Sequence, residues 1–312
     1  MENKEKYELF CKQTYVPIFS QPWWMNAVCG EGNWDVFLAE KGDDIWAAMP
    51  YYLTQREGIN IITKAPLTQN NGIIFKYPPN QKYVSRLDFE ENVINQICNF
   101  LESLNIDRYE QQYHYLFTNW LPFYWRKYRE ITRYTYVIED TSDFIEIEKN
   151  FDAKVRNKIK KAKKICQVTD KLSSEQFYAV NKLTFDRQGI DMPYSYSLFE
   201  RLHLACQKNE AGKMLFAVDE QNNIHSVAYL VWDAQSVYYL LNGTDPALKS
   251  SQANALLIET GIRFASKMGL KFDFEGSVIQ PIENAFRAYG GVQKPYFRIY
   301  KTLNPDIEEK IY

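Results

Sequence analysis

MLFAV (Met214–Val218), HSVAYLVW (His225–Trp232) and VYYLLN (Val237–Asn242) read as three strands in succession. Each is rich in β-branched, aromatic and aliphatic residues and is bounded by polar or turn-forming residues. Gly243-Thr244-Asp245-Pro246 ends the third, and apolar residues at helical spacing then predict a long helix over about Gln252–Met268. A short strand ends in Phe272-Asp273-Phe274-Glu275-Gly276-Ser277, a short helix covers about Asn284–Tyr289, and Gly290-Gly291 leads into a last strand, Tyr296–Lys301. Three strands, a helix, a strand, a helix and a strand form a specific order, and no other stretch of the chain is as narrow in what it implies.

Working outward, residues 173–208 predict two helices. Ser173-Ser174-Glu175-Gln176, a Ser with an acid or amide side chain two or three positions on, is a capping-box-like signal for the first, which runs out near Arg187. The second covers about Ser197–Lys208. Residues 140–172 act as a joint, with Thr141-Ser142-Asp143 as a helix cap. Seven of the eleven residues from Lys154 to Lys164 are Lys or Arg, whereas Val155, Ile159 and Ala162 keep an i, i+4, i+7 apolar stripe. Two readings stay open for this helix: a solvated basic face, or a phosphate-binding face on which Arg156 and Lys158 act as donors.

Towards the N-terminus, Pro22 opens a short helix, and Trp34–Glu40 and Asp44–Leu53 pair as a hairpin about Gly42-Asp43. Ile59–Thr63 is a further strand, Pro66–Gly72 a polar loop, Phe89–Leu104 an amphipathic helix, Ile106–Gln112 a strand entering the sheet, and Thr132–Ile138 an alternating strand. Tyr113–Trp120 has no assignable pattern. Both halves hold paired strands, then helix and strand, which suggests a degenerate duplication.

At 312 residues the chain is long enough for two cores. A net charge of −2 argues against a nucleic-acid-binding surface over the whole protein. The five cysteines at 11, 29, 98, 166 and 206 are odd in number and widely spaced, as expected of reduced thiols in a cytoplasmic protein. His114, His203 and His225 lie far apart, so no metal site is expected. No apolar run spans a membrane, and the N-terminus lacks a signal core.

Five features together resemble the Fem-type (FemAB-like) branch of the GNAT acyltransferase superfamily. They are Gln21-Pro22-Trp23-Trp24, the Pro66–Gly72 loop, the basic Arg156–Lys164 helix, Leu241–Pro246 leading into the long helix, and Phe272–Ser277 followed by Phe286 and Gly290-Gly291. That branch includes aminoacyl-tRNA-dependent transferases that build peptidoglycan cross-bridges and related acetyltransferase-like domains of polysaccharide biosynthesis. The resemblance implies an α/β (α+β) fold of two tandem GNAT-like units, each a mixed, mostly antiparallel sheet flanked by helices. The expected division is 1–133 and 134–312, with the basic helix (150–164) in the second. It also implies N-acyl transfer to an amino group of a small-molecule or lipid-linked envelope precursor, an amino sugar or a muropeptide.

The chain departs from the coenzyme A-binding pattern, because Asp245–Asn254 lacks the Gln/Arg-x-x-Gly-x-Gly/Ala turn. No tightly bound cofactor is expected, and the donor stays open between acyl-CoA and aminoacyl-tRNA, the latter making tRNA a partner. Lys249, Ser250 and Ser251 are the candidate donor-phosphate residues at the helix N-terminus. Glu275, Asn242 and Tyr239 are the candidate catalytic residues, as a base through water, a cleft-facing amide and a proton donor to the leaving group. Arg156, Lys158, Arg187, Gly243, Asp273, Gly276 and Ser277 are the candidate substrate-binding residues. Since no nucleophile–base set is visible, direct transfer is expected. A catalytically silent binding module of the same fold is the alternative.

Overall fold

Two long helices decide how the strands of this protein connect. A computed structural model describes residues 2–42 and 44–307, so Asp43 of the expected hairpin turn lies outside the described residues. The chain divides into two compact units, one running to Arg133 and taking up the chain again from Pro295, the other covering Tyr134–Lys294.

The first unit begins with α1 (Asn3–Gln13) and α2 (Pro22–Cys29), followed by β1 (Trp34–Lys41), β2 (Asp44–Arg56), β3 (Ile59–Thr63) and β4 (Ile74–Phe75). Next come α3 (Tyr83–Ser103), β5 (Arg108–Gln112) and α4 (Leu121–Trp125). The pairs β1–β2, β2–β3 and β2–β4 are antiparallel, whereas β3 and β5 run parallel. Parallel neighbours need a long crossover, and α3 supplies it. Its buried face (Val93, Ile94, Ile97, Cys98 and Leu101) packs in one core with Met49, Ile62 and Tyr109. Helix α3 starts at Tyr83, six residues before the expected Phe89, because its first turns are exposed and carry no apolar stripe.

The second unit holds β6 (Arg129–Ile138, from Tyr134), α5 (Phe144–Lys149), α6 (Ala153–Ala162), β7 (Gln167–Thr169), α7 (Ser174–Asp186) and α8 (Tyr196–Lys208). These lead to β8 (Gly212–Val218), β9 (Ile224–Trp232), β10 (Ser236–Thr244), α9 (Ala253–Met268), β11 (Lys271–Asp273) and α10 (Gln280–Arg287). All pairs are antiparallel except β10–β11, which α9 bridges as α3 does in the first unit. Strand β9 is buried almost throughout because α9 covers one face and α7 the other, which is why its sequence reads as a continuous apolar run. Leu256, Leu257, Ile262 and Ala265 of α9 pack with Leu230, Val237 and Phe272.

The last strand, β12 (Val292–Thr302), is a correction to the expected division. From Arg298 to Thr302 it pairs with β5, so the chain from Pro295 belongs to the first unit. Its Ile299 sits in the α3 core, and β12 covers the edge of β5 that faces away from β3. Helix α10 starts at Gln280 rather than near Asn284, with Pro281 in its first turn.

A cationic cleft at the splayed strands of the second unit

Strands β10 and β11 pair only over Ser236–Tyr238 and Lys271–Asp273, yet β10 runs on to Thr244. Strand β11 ends at Asp273, opposite Tyr238, so the rest of β10 runs on past it. A register shift against β9 between Tyr239 and Leu241 marks a bulge at Leu240, which re-aims the backbone just past the end of that pairing.

Helix α7 closes on the far end of β10. An alanine Cβ at Gly243 would meet the Asn181 Cα at 2.6 Å, so only glycine lets the helix come this near. Asn181 Nδ2 then donates to the Asn242 carbonyl at 2.6 Å, and the Thr244 N–H donates to Thr184 Oγ1 at 3.3 Å. Gly243 is thus a packing residue, and its role is to bring Asn242, Thr244, Thr184 and Arg187 to one rim.

That rim bounds a cleft of about 1010 Å³, floored by Val155, Ala255, Ile258 and Tyr289. Lys154, Lys158, Arg187, Lys249 and Arg287 line it against the carboxylate of Asp152. Asp152 is itself spent as the N-cap of α6, its Oδ1 accepting the Lys154 N–H at 2.7 Å. The first residues of α9, Ala253–Ala255, also face the cleft, so the positive end of a sixteen-residue helix adds to the field of the side chains. In a chain of net charge −2 this concentration of positive charge is local.

Four predicted residues meet here: Asn242, Lys158, Arg187 and Lys249. The others are placed elsewhere, each for a physical reason. Arg156 is half-buried and turns its guanidinium back to the carbonyls of Lys149 (3.1 Å) and Phe151, tying α5 to α6. Lys163 pairs with buried Glu259 at 3.1 Å, so only Lys154 and Lys158 of the basic run reach the cleft.

Tyr239 is in the core. Burial raises its phenol well above the ordinary range, and its OH donates to Asn254 Oδ1 at 2.7 Å. It acts by fixing Asn254, a cleft-lining amide that the sequence did not single out. Ser251 is buried; its Oγ donates to the Leu248 carbonyl at 2.8 Å and accepts the Ala253 N–H at 3.4 Å, so it is spent on the backbone leading into α9. Ser250 is exposed on the preceding 3-10 turn and does not line the cleft.

Asp273, Glu275, Gly276 and Ser277 build the turn after β11 rather than the cleft wall. Asp273 is buried, and its Oδ1 accepts from Thr135 Oγ1 at 2.5 Å and from the Glu275 N–H at 2.8 Å. Burial pushes its carboxyl up to about 6 despite these bonds. Glu275 is buried with φ +59°. Gly276 follows at φ +67°, and a Cβ there would lie 2.0 Å from the Tyr134 carbonyl oxygen. Ser277 Oγ accepts the Ile279 N–H at 3.0 Å on the way into α10.

Lys154, Thr184, Asn254 and Arg287 are among the cleft residues that sequence reasoning missed. For Lys154 the signal was present, because it precedes Lys158 by four and shares its helix face.

Residues 149–280 match the model of the GNAT acetyltransferase domain. The crystal structure of FemX superposes with a TM-score of 0.70 over 95% of this chain and 96% of that one, at 11% identity. The C-terminal domain of a putative lysylphosphatidylglycerol synthetase from Agrobacterium fabrum gives 0.59 over 96% and 92%, at 10% identity. A tandem GNAT protein from the clavulanic acid biosynthesis pathway gives 0.52 over 88% and 84%, at 7% identity. No curated protein matches by sequence. At these identities the likeness is one of fold: the chain has the Fem-type, two-unit GNAT fold. Among the described residues no helix is long and apolar enough to cross a membrane.

Proposed function

We propose that this chain, whose second unit is a GNAT domain by sequence and by fold, is an N-acyltransferase. It moves an acyl or aminoacyl group to an amino group of a cell-envelope precursor, an amino sugar or a muropeptide. The observation that carries the reading is the cationic cleft, which opens at the N-terminus of α9 beside the end of β10 that runs on past β11.

In this reading, donor phosphates sit against Lys249, Lys158 and the positive end of α9, and Arg187 and Arg287 hold the anionic part of either substrate. A backbone N–H at the Leu240 bulge polarises the acyl carbonyl as charge develops on its oxygen. The amine nitrogen attacks the carbonyl carbon, the new C–N bond forms, and the bond to the donor's sulfur or ribose oxygen breaks. The amine's proton passes through water to that leaving atom. Binding both partners in attack geometry supplies the acceleration, with no covalent enzyme intermediate.

Calorimetric titration with acetyl-CoA and with free CoA tests the donor. Micromolar binding that weakens about tenfold in Lys249→Ala, and that falls with added salt, supports a CoA donor. Absence of binding by folded protein directs the test to aminoacyl-tRNA. No acylated amino sugar or muropeptide with either donor would sink the proposal. A silent binding module is the second reading, favoured by one observation: neither Glu275 nor the Tyr239 hydroxyl lines the cleft. It gains if precursors bind but no acylation is detected.

A further inference from the structure

The polarity of α10 is inverted. Val278–Ile282, the approach to the helix and its first turn, are five exposed positions in succession, and Val278, Ile279, Pro281 and Ile282 among them are apolar. Val278 is 61% exposed, Ile279 55% and Ile282 40%. The carboxylate of Glu283 is instead turned inward, where Tyr136 OH donates to its Oε1. A surface helix ordinarily keeps its aliphatic side chains on the packed face and its charges in water. Packing here is left to Phe286, whose ring lies 5.3 Å from that of Phe274.

This apolar lip is held out from the fold by a hydrogen-bonded turn. Glu275 and Gly276 take positive φ in succession, and the Asp273 carboxylate fixes the turn by accepting the Glu275 N–H at 2.8 Å. Ser277 Oγ then accepts the Ile279 N–H at 3.0 Å, and Pro281 sets the first helical turn. The aliphatic residues are therefore presented on a preformed element, so engaging them orders little of the chain.

Positive charge lies beside the lip. Ile282 lines the cationic cleft together with Lys154, Lys158, Lys249 and Arg287. The Asp152 N–H donates to the Ala288 carbonyl at 2.8 Å, so the basic helix α6 begins where α10 ends. The nearby carboxylates are engaged: Asp152 caps α6, and Glu283 is held by Tyr136 and lies 3.9 Å from Arg287. Aliphatic side chains flanked by lysine and arginine match the interfacial layer of an anionic bilayer, where apolar groups enter below the headgroups and cations meet the phosphates. A polyanion such as RNA would use the cations and leave the aliphatic residues without a partner.

We propose that Val278–Ile282 and the cations beside it form a docking surface for an anionic lipid bilayer, with α10 lying at the interface and the mouth of the cleft turned toward the headgroups. The surface reads charge and apolar depth rather than one headgroup, and the association is peripheral and reversible.

Flotation of the full chain with phosphatidylcholine vesicles, alone or with about one third phosphatidylserine or phosphatidylglycerol, tests the assignment. Binding to both anionic compositions, falling with added salt, is expected, and none to phosphatidylcholine alone. The double variant Val278→Gln, Ile279→Gln should lower the partition coefficient about tenfold at an unchanged melting midpoint, because both side chains are exposed. Ile279→Trp should raise it at the same midpoint, since tryptophan favours the interface. Absence of flotation with anionic vesicles, or equal flotation with neutral ones, overturns the proposal. Binding to only one anionic lipid would mean headgroup recognition in its place. Salt-sensitive flotation that the double variant leaves unchanged would assign the surface to charge alone, as for a polyanion, and overturns it as well. A chain that acylates no amine can still pass or fail this test, so its outcome is separate from that of the acyltransferase reading.

Discussion

Asp273 illustrates how a carboxylate can attract attention for the wrong role. It sits at the end of a central strand, yet its oxygen is fully engaged in holding Thr135 and the Glu275 amide. Its raised pKa has a consequence for stability. The folded state holds this proton more tightly than the unfolded chain, so the stabilisation from protonation is full at low pH and is lost as pH rises from about 4 through about 6. The difference between the folded and unfolded carboxyl corresponds to roughly 3 kcal/mol. Asp273→Asn should remove that downward slope: melting midpoints across this range should diverge from the wild type's, with the variant gaining as pH rises. Parallel curves would show that the residue does not titrate there. The same residue shows where sequence reading stops. Tyr239, Arg156 and Ser251 carry the right chemistry at the right strand or helix end, but a sequence does not record which polar atoms the backbone has already claimed. Lys158, Arg187 and Lys249 were legible because a cationic side chain at an exposed position has few backbone partners and stays in solvent.

At the level of elements, the second unit was the more readable. Its central strands are covered on both faces and therefore run apolar without interruption, while α9 keeps a long buried face (Leu256, Leu257, Ile258, Ile262, Ala265). Elements with little to bury left no trace. Helix α1 buries only Tyr7 and Phe10, α4 is five residues long, and β7 has three residues, none of them fully buried. Caps were legible wherever the cap is a side chain. Within the Ser173–Gln176 signal the reciprocal box is made by its two ends, with Gln176 N–H donating to Ser173 Oγ at 3.3 Å and Ser173 N–H to Gln176 Oε1 at 3.1 Å. Ser173→Ala should cost about 1 kcal/mol. The loss should appear as faster hydrogen exchange in the first turn of α7, while the amides of α3 in the other unit keep wild-type rates. Uniform change in both helices would contradict a local cap.

For the whole molecule, the decisive feature is that the first unit is completed from the far end of the chain. Strand β12 brings Ile299 into the α3 core, and Arg298 and Lys301 meet Glu110 and Glu102 at 2.5 and 2.8 Å. Truncation after Lys294 should therefore unravel the first unit, although most of that unit's residues stay in the chain. Cys98, buried on α3, should become reactive to a thiol reagent, read by mass spectrometry of its peptide, while anion binding in the second-unit cleft persists. An unreactive Cys98 would mean that β12 is dispensable. The same arrangement imposes an order on biosynthesis. The ribosome delivers Arg108–Gln112 well before the strand that pairs with them, and the whole second unit is made in between. At ordinary elongation rates that delay is on the order of ten seconds. During it, β5 carries an open edge that another nascent chain could take, so the half that is translated first is the last to mature and the one most dependent on chaperone protection.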